Sequence, residues 1–204
     1  MSAAQRPTSN KTLVVLTGPM AAGKGALEEW AEARSIPFVS MSEIIEEHAG
    51  KQKEDIGREG MQDFANAQRR AHGPDVYARK TAEHIDTNDS SLAIVDGMRN
   101  VRECEYFRTH YRTIVIGIVP ESPDQEFENV KERGRPGDPQ TKEQFEQVRQ
   151  RELGHGEGEE GQHVAACLDA ADAVMVHAGG EGDHEDLFRR FEAILSERGI
   201  ALDR

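Results

Sequence analysis

Residues 12–25 read TLVVLTGPMAAGKG. Thr12, Leu13, Val14, Val15, Leu16 and Thr17 make a short apolar, β-branched run that stops at Gly18, the pattern of a parallel strand buried on both faces. Directly behind it, Gly18-Pro19-Met20-Ala21-Ala22-Gly23-Lys24 satisfies G-x-x-x-x-G-K. Residues 24–34 then continue as a helix with Leu27, Trp30 and Ala31 on one side. Strand, glycine loop and helix in that order are the context a phosphate-binding loop requires, and the lysine at its end separates it from a turn that merely tolerates glycine. The glycines let the backbone wrap closely, so that N–H groups and the helix N-terminus point at a β-phosphate. Lys24 supplies the full positive charge between the β- and γ-phosphates. The expected ATP-binding set is Gly18, Pro19, Met20, Ala21, Ala22, Gly23, Lys24 and Gly25, with Mg²⁺ as the accompanying ion.

One position departs from the motif. The Ser or Thr that usually follows the lysine is Gly25, and Ala26 comes next, so no hydroxyl is available there for the metal. ATP oxygens, water and another carboxylate would have to serve. Asp96, in the Asp-Gly pair that ends the run Ser91-Leu92-Ala93-Ile94-Val95, is the candidate, because it falls at the carboxyl end of a parallel strand. A plain turn aspartate is the competing reading.

Outward from this core the chain keeps a strand–helix rhythm. Strands are expected at 36–39, 91–95, 113–119 and 173–176, and helices at about 42–48, 58–70, 75–85 and 185–197. Such alternation implies βαβ crossovers and an α/β fold, a five-stranded parallel sheet sandwiched by helices. Two stretches break the rhythm. Residues 131–141, KERGRPGDPQT, are rich in Arg, Gly and Pro, and residues 154–163, GHGEGEEGQH, in Gly, Glu and His. Neither can fill a core, so both are expected as mobile loops over an active site, a small lid spanning about 131–163. The expected organisation is a tail over residues 1–10 and a single domain over 11–204, with acceptor-binding helices at about 41–86.

Bulk properties narrow the classes. The 204 residues suffice for one α/β domain with its own core, and no apolar stretch approaches the roughly 20 residues of a membrane helix. The opening MSAAQRPTSN lacks the apolar region of a secretory signal, and the two cysteines, Cys104 and Cys167, read as reduced thiols, so a cytoplasmic location is expected. A net charge of −13 works against a general nucleic-acid coat protein while leaving room for a local basic pocket. No membrane or protein partner is implied.

The acceptor side rests on residues 58–70. Arg58, Gln62, Asn66 and Arg69 fall within about 80° on a helical wheel, two cations and two amides on one stripe, suited to a base plus an anionic group. A solvated helix face is the bland alternative. His155, His163 and Cys167 match no common zinc spacing.

The ordered set GPMAAGKG at 18–25, REGMQ at 58–62, GPD at 73–75, VDGMRN at 95–100, ERGRPGDP at 132–139, REL at 151–153 and AADAV at 170–174 resembles the nucleoside-monophosphate-kinase-like group of P-loop kinases. It is most similar to an archaeal adenylate-kinase-like family, and more distantly to phage deoxynucleotide kinases, phage hydroxymethyluracil DNA kinases and dephospho-coenzyme A kinases. The resemblance runs from Leu13 to about Leu195. It implies a metal-shell role for Asp96 and an acceptor contact for Arg99. It also implies lid arginines at Arg133 and Arg135 aimed at the transferring phosphoryl group, a further catalytic arginine at Arg151, and an adenine-lining segment at 176–182. Arg149 does not align, and it sits about 200° from Arg151 on a helix. Glu46 stands where such kinases carry an arginine for the acceptor's phosphate, which implies either a different grip on that phosphate or an acceptor that presents a hydroxyl.

The expected activity is transfer of the γ-phosphate of ATP to a (deoxy)nucleoside monophosphate. A kinase acting on the hydroxymethyl group of 5-hydroxymethyluracil within DNA is the alternative, favoured by Glu46 and opposed by the net charge. A nucleotide-binding switch without an acceptor is a third reading, opposed by the arginines of the lid.

Overall fold

Alternation within the first strand sets the layers. In β1 (Thr12–Thr17), Leu13 and Val15 face one side of the sheet, while Val14 and Leu16 face the other, and all four are fully buried. Each set seeds its own hydrophobic cluster. A strand buried on both faces needs helices on both, which is the three-layer arrangement observed.

The computed structural model describes residues 7–50, 53–135, 137–177 and 184–202. Its parallel sheet has the order β2-β3-β1-β4-β5, where β2 is Phe38–Ser40, β3 Leu92–Met98, β4 Arg112–Val119 and β5 Ala173–Val176. Helices α1 (Ala26–Glu32) and α9 (His184–Glu197) cover one face, where Trp30 and Phe191 meet edge to face with ring centroids 5.0 Å apart. The other face carries residues of α2 (Met41–Ala49), α3 (Lys53–His72), α4 (Val76–Asp86), α5 (Val101–His110) and α8 (Val164–Asp169). Helices α6 (Pro123–Arg133) and α7 (Lys142–Leu153) build a third, smaller cluster in which Val130 and Phe145 pack on Met20 of the glycine loop. The arginine-rich segment between them is thereby anchored beside the glycine loop.

The chain leaves β1 towards β2 and β3 on one side, then returns to β4 and β5 on the other. The crevice beyond the carboxyl ends of β1 and β3 lies where those two directions part, the place at which open α/β sheets bind ligands.

Three expectations change. The third strand does not stop at Val95 but runs to Met98, with a register shift: Leu16 pairs with Asp96 and Thr17 with Met98. Gly97, at φ +91°, is the extra residue of a bulge, and the bulge sets the direction of the neighbouring Asp96. Residues 154–163 are not loose over the cavity. They lie against α3 and α5, where Asn100 Nδ2 donates to the carbonyls of Glu159 and Gly161 at 2.9 and 2.8 Å, and Asn66 Nδ2 donates to Glu157 at 2.7 Å. Finally, most of the α3 stripe points into protein. Asn66 and Arg69 are 3% and 2% exposed, and Arg69 forks onto the buried carboxylate of Glu103, with Nη2 and Nε at 2.8 and 3.2 Å. That carboxylate also accepts the backbone N–H groups of Arg99 and Asn100, so Arg69 clamps α3 to the start of α5 rather than meeting a ligand.

Cys104 and Cys167 are free and buried in the larger cluster, and burial pushes both thiols up. Among the described residues no helix is long and apolar enough to cross a membrane.

Breaking a buried ion pair from one side costs about 3–5 kcal/mol, because a charge is left without its partner. Arg69→Met is therefore expected to lower the unfolding free energy by about 3 kcal/mol in urea denaturation. Unaltered stability would mean that Arg69 is not part of the frame.

Candidate active site

The loop between β1 and α1 has glycine where geometry demands it. Gly18, at φ +140°, would carry its Cβ 2.0 Å from the carbonyl oxygen of Ile118. A Cβ on Gly23, at φ +92°, would stand 2.0 Å from the imidazole of His177 just beyond β5. Ala21 takes a left-handed backbone as well, at φ +52°, a conformation that costs an alanine about 1 kcal/mol. Asn129 of α6 holds that strained residue by donating to its carbonyl at 3.2 Å.

Lys24 lies beneath this loop. Its ammonium donates to the carbonyls of Gly18 and Pro19 at 2.9 and 2.7 Å, closing the loop upon itself. Burial brings the amine down to about 8; Asp96 works in the opposite sense, and Arg99 and Arg133 add to the depression. Asp96 Oδ1 is buried and has no hydrogen-bond partner among the described residues. An orphaned carboxylate oxygen next to the glycine loop is chemically suited to a hydrated divalent cation. At Gly25 nothing lies within 4 Å of an added Cβ, so the missing hydroxyl reflects the residue and not a lack of room.

A cavity of about 730 Å³ opens over the loop. Of the residues expected in the site, Lys24, Asp96, Arg58, Arg99, Arg133 and Arg135 line it, together with loop residues from Met20 to Gly25. Arg58 and Arg133 share one carboxylate. Asp138 Oδ1 accepts from Nη2 of both at 2.9 Å, and Oδ2 accepts from Arg133 Nε at 3.0 Å. Burial pushes the Asp138 carboxyl up, but the two guanidinium groups outweigh it and hold it below its ordinary range. Burial pushes Arg133 down against the pull of Asp138, and it brings Arg99 down to about 10, helped by the charge of Arg58. Arg135 stands exposed at the rim.

Gln62, Arg69 and Arg151 are not brought to this cavity. Gln62 is 5% exposed inside α3. Arg151 points away from the loop and pairs with Asp63 and Glu157 at 2.6 and 2.5 Å. Its neighbour Glu152 turns inward instead and reaches the loop at Met20. Of the adenine-lining expectation, Val176 is exposed on β5, His177 lies in the cavity wall, and residues 178–182 fall outside the described residues.

Sequence reasoning missed several wall residues. Asn129 and His184 stand on the loop side, and Ser40, Ser42 and Glu43 on the α2 side. The last three flank Glu46, the one signal that was available in the sequence. Burial raises the Glu28 carboxyl beside them, with Glu43, Glu32 and Asp96 adding like charge, so this wall is negative.

No protein-family model matches the chain. Among solved structures, shikimate kinase from Bacteroides thetaiotaomicron superposes with a TM-score of 0.57 at 17% identity, covering 91% of this chain and 98% of that one. Shikimate kinase from Acinetobacter baumannii in complex with shikimate gives 0.56 at 12%, covering 95% and 97%. The chain therefore has the P-loop kinase fold. In sequence, UPF0200 protein MJ1399 of Methanocaldococcus jannaschii is 32% identical over 187 residues, 91% of this chain and 89% of the relative. The UPF0200 protein of Hyperthermus butylicus is 34% identical over 150 residues, 74% of this chain and 80% of the relative. Identity at that level, over most of both chains, makes this chain a member of the UPF0200 family.

Proposed function

We propose that the chain is an ATP-dependent phosphotransferase acting on a nucleotide-type acceptor. The observation that carries this reading is the gathering of Lys24, Arg58, Arg99, Arg133 and Arg135 with Asp96 around one cavity at the carboxyl ends of β1 and β3. Phosphoryl transfer needs positioning and positive charge around three non-bridging oxygens more than it needs covalent chemistry. A pure nucleotide switch has no use for a second cationic group facing the loop. When bound, Mg²⁺–ATP supplies the phosphoryl group and its charge neutralisation, for which Asp96 Oδ1 is the available oxygen.

The chain's own residues divide the work. Backbone N–H groups of residues 21–25 would hold phosphate oxygens, and the Lys24 ammonium, now on the Gly18 and Pro19 carbonyls, would add its charge there. Arg135 at the rim and Arg133, now paired with Asp138, would supply positive charge to the transferring group. On the acceptor side, Arg58 and Arg99 bring guanidinium groups to the cavity, whereas Gln62 lies inside α3 and does not line it.

The acceptor's anionic group thus belongs on the Arg58–Arg99 side. The α2 side, with Ser40, Ser42, Glu43 and Glu46, would repel a phosphate. That wall supports a second reading, an acceptor that offers a hydroxyl there, such as the hydroxymethyl group of a base in DNA.

Incubating the protein with γ-labelled ATP and two pools, mixed nucleoside monophosphates and hydroxymethyluracil-containing DNA, is expected to label the first. Label in the DNA alone would select the second reading, and slow phosphate release with label in neither would leave a switch. Lys24→Ala should abolish transfer. Arg135→Ala should lower kcat by about 10³-fold while changing ATP affinity little, and unaltered turnover would remove Arg135 from the transfer step.

Affinity should also follow pH. The Lys24 amine of the free enzyme titrates at about 8, and only its charged form binds phosphate, so the Kd of a non-hydrolysable ATP analogue is expected to rise above that pH. The slope should approach about tenfold per pH unit, the limit for one proton. A flat profile through the alkaline range would mean that the ammonium does not hold the phosphates.

A further inference from the structure

Glu152 occupies the last turn of α7, next to the negative end of the helix, where a carboxylate is disfavoured by roughly 0.3–1 kcal/mol. It is also 2% exposed. Both costs require compensation, and the partners that provide it are informative. Oε2 accepts the backbone N–H of Met20 in the phosphate loop at 3.0 Å, and Oε1 accepts Nη1 of Arg99. One carboxylate therefore joins α7, the phosphate loop and the residue that follows β3.

Arg99 is also fixed through its backbone. Its backbone N–H donates to Glu103 Oε2 at 3.0 Å, and its carbonyl accepts the N–H of His163 at 2.7 Å. Nη1 makes a second contact with Gln162 Oε1 at 3.3 Å. Arg99 still lines the cavity, and its Nε and Nη2 have no hydrogen-bond partner among the described residues. An arginine left to itself loses about 2 kcal/mol of rotamer freedom on gripping a ligand. With one edge of its guanidinium held, the other edge is presented already ordered.

We propose that Glu152 is a positioning residue that sets the distance between Arg99 and the phosphate loop, so that an anionic group held by Arg99 stands in line with the γ-phosphate. The proposal rests on the phosphotransferase reading above. It gives the REL stretch at 151–153 a role through its glutamate, whereas the resemblance placed that role on Arg151.

The test is a double-mutant cycle on the full chain with Glu152→Gln and Arg99→Ala. The glutamine side chain keeps an acceptor for the Met20 N–H and loses the charge that holds Arg99. Glu152→Gln alone is expected to lower kcat/KM for the acceptor by about 10²-fold, the usual cost of a misplaced reacting group, with the Kd of an ATP analogue within about threefold of wild type. In the Arg99→Ala background the same change should have less than about a twofold effect, because the residue acts through the arginine. Equal losses in both backgrounds, or a rise in ATP-analogue Kd that matches the loss in kcat/KM, would make Glu152 a general support of the loop and overturn the proposal. Should Glu152→Gln fail to fold, Glu152→Asp, which keeps the charge and shortens the reach, is measured on the same cycle. An inactive wild type would defeat the phosphotransferase reading instead. The ¹⁵N resonances of the Arg99 guanidinium then decide the tie itself: sharp and slowly exchanging in the wild type and broadened in Glu152→Gln upholds it, and no difference overturns it.

Discussion

The structure depends on burying one ammonium group under a turn of backbone. Lys24 is 8% exposed, and its charge is met by two loop carbonyls and by Asp96 nearby. Such a charge is tolerable only where the surrounding dipoles are fixed in advance, and the sheet fixes them. Gly18 is pressed on the carbonyl of Ile118 from β4, Gly23 on His177 after β5, and Met20 on Val130 and Phe145 of the helices that follow. Separate segments of the chain thus converge on one short loop. Its shape is a consequence of the sheet order, because a strand with neighbours on both sides can present a loop that so many elements touch.

Around that loop the arginines are wired through buried carboxylates. Asp138 joins Arg58 of α3 to Arg133 of α6, Glu152 joins Arg99 to Met20, and Glu103 joins Arg69 to the backbone of Arg99. The outcome separates two kinds of arginine. Arg69 has its fork filled by Glu103 in a dry interior and is part of the frame. Arg58, Arg99 and Arg133 are held by one edge and keep another towards the cavity.

This distinction explains what could be read from the residues alone. Local rules found β1, the loop and its lysine, since a buried parallel strand and a G-x-x-x-x-G-K turn are both short-range patterns. Asp96 was legible for the same reason, lying at a strand end, whereas Arg99 came only from the family resemblance. The α3 stripe was not. Helical spacing correctly placed Arg58, Gln62, Asn66 and Arg69 on one side of a helix, but it could not tell whether that side met a ligand or Glu103, which lies 34 residues beyond Arg69. The same limit applies to REL at 151–153. Adjacent residues on a helix point about 100° apart, and only the docking of α7 decides that Glu152, and not Arg151, turns inward. Residues 154–163 looked like a loose lid because glycine-rich acidic stretches carry no apolar anchor. Their hold is polar, through Asn66 and Asn100, which hydropathy does not register.

The wiring also governs the energetics of binding. Most cations of the cavity have an oxygen partner: carbonyls for Lys24, Asp138 for Arg58 and Arg133, Glu152 for Arg99. On the phosphotransferase reading, binding a polyphosphate would exchange one set of oxygens for another, so its free energy would be a difference between two charge-assisted sets. The cations would then stand desolvated and oriented for the moment when charge on the transferring group changes. Differential interaction with that moment, and not tight ground-state binding, is what accelerates a reaction. Arg135 stands outside this arrangement, exposed at the rim on the segment between α6 and α7 and with no hydrogen-bonded carboxylate among the described residues. On the phosphotransferase reading, its charge would meet the transferring group without first breaking an ion pair.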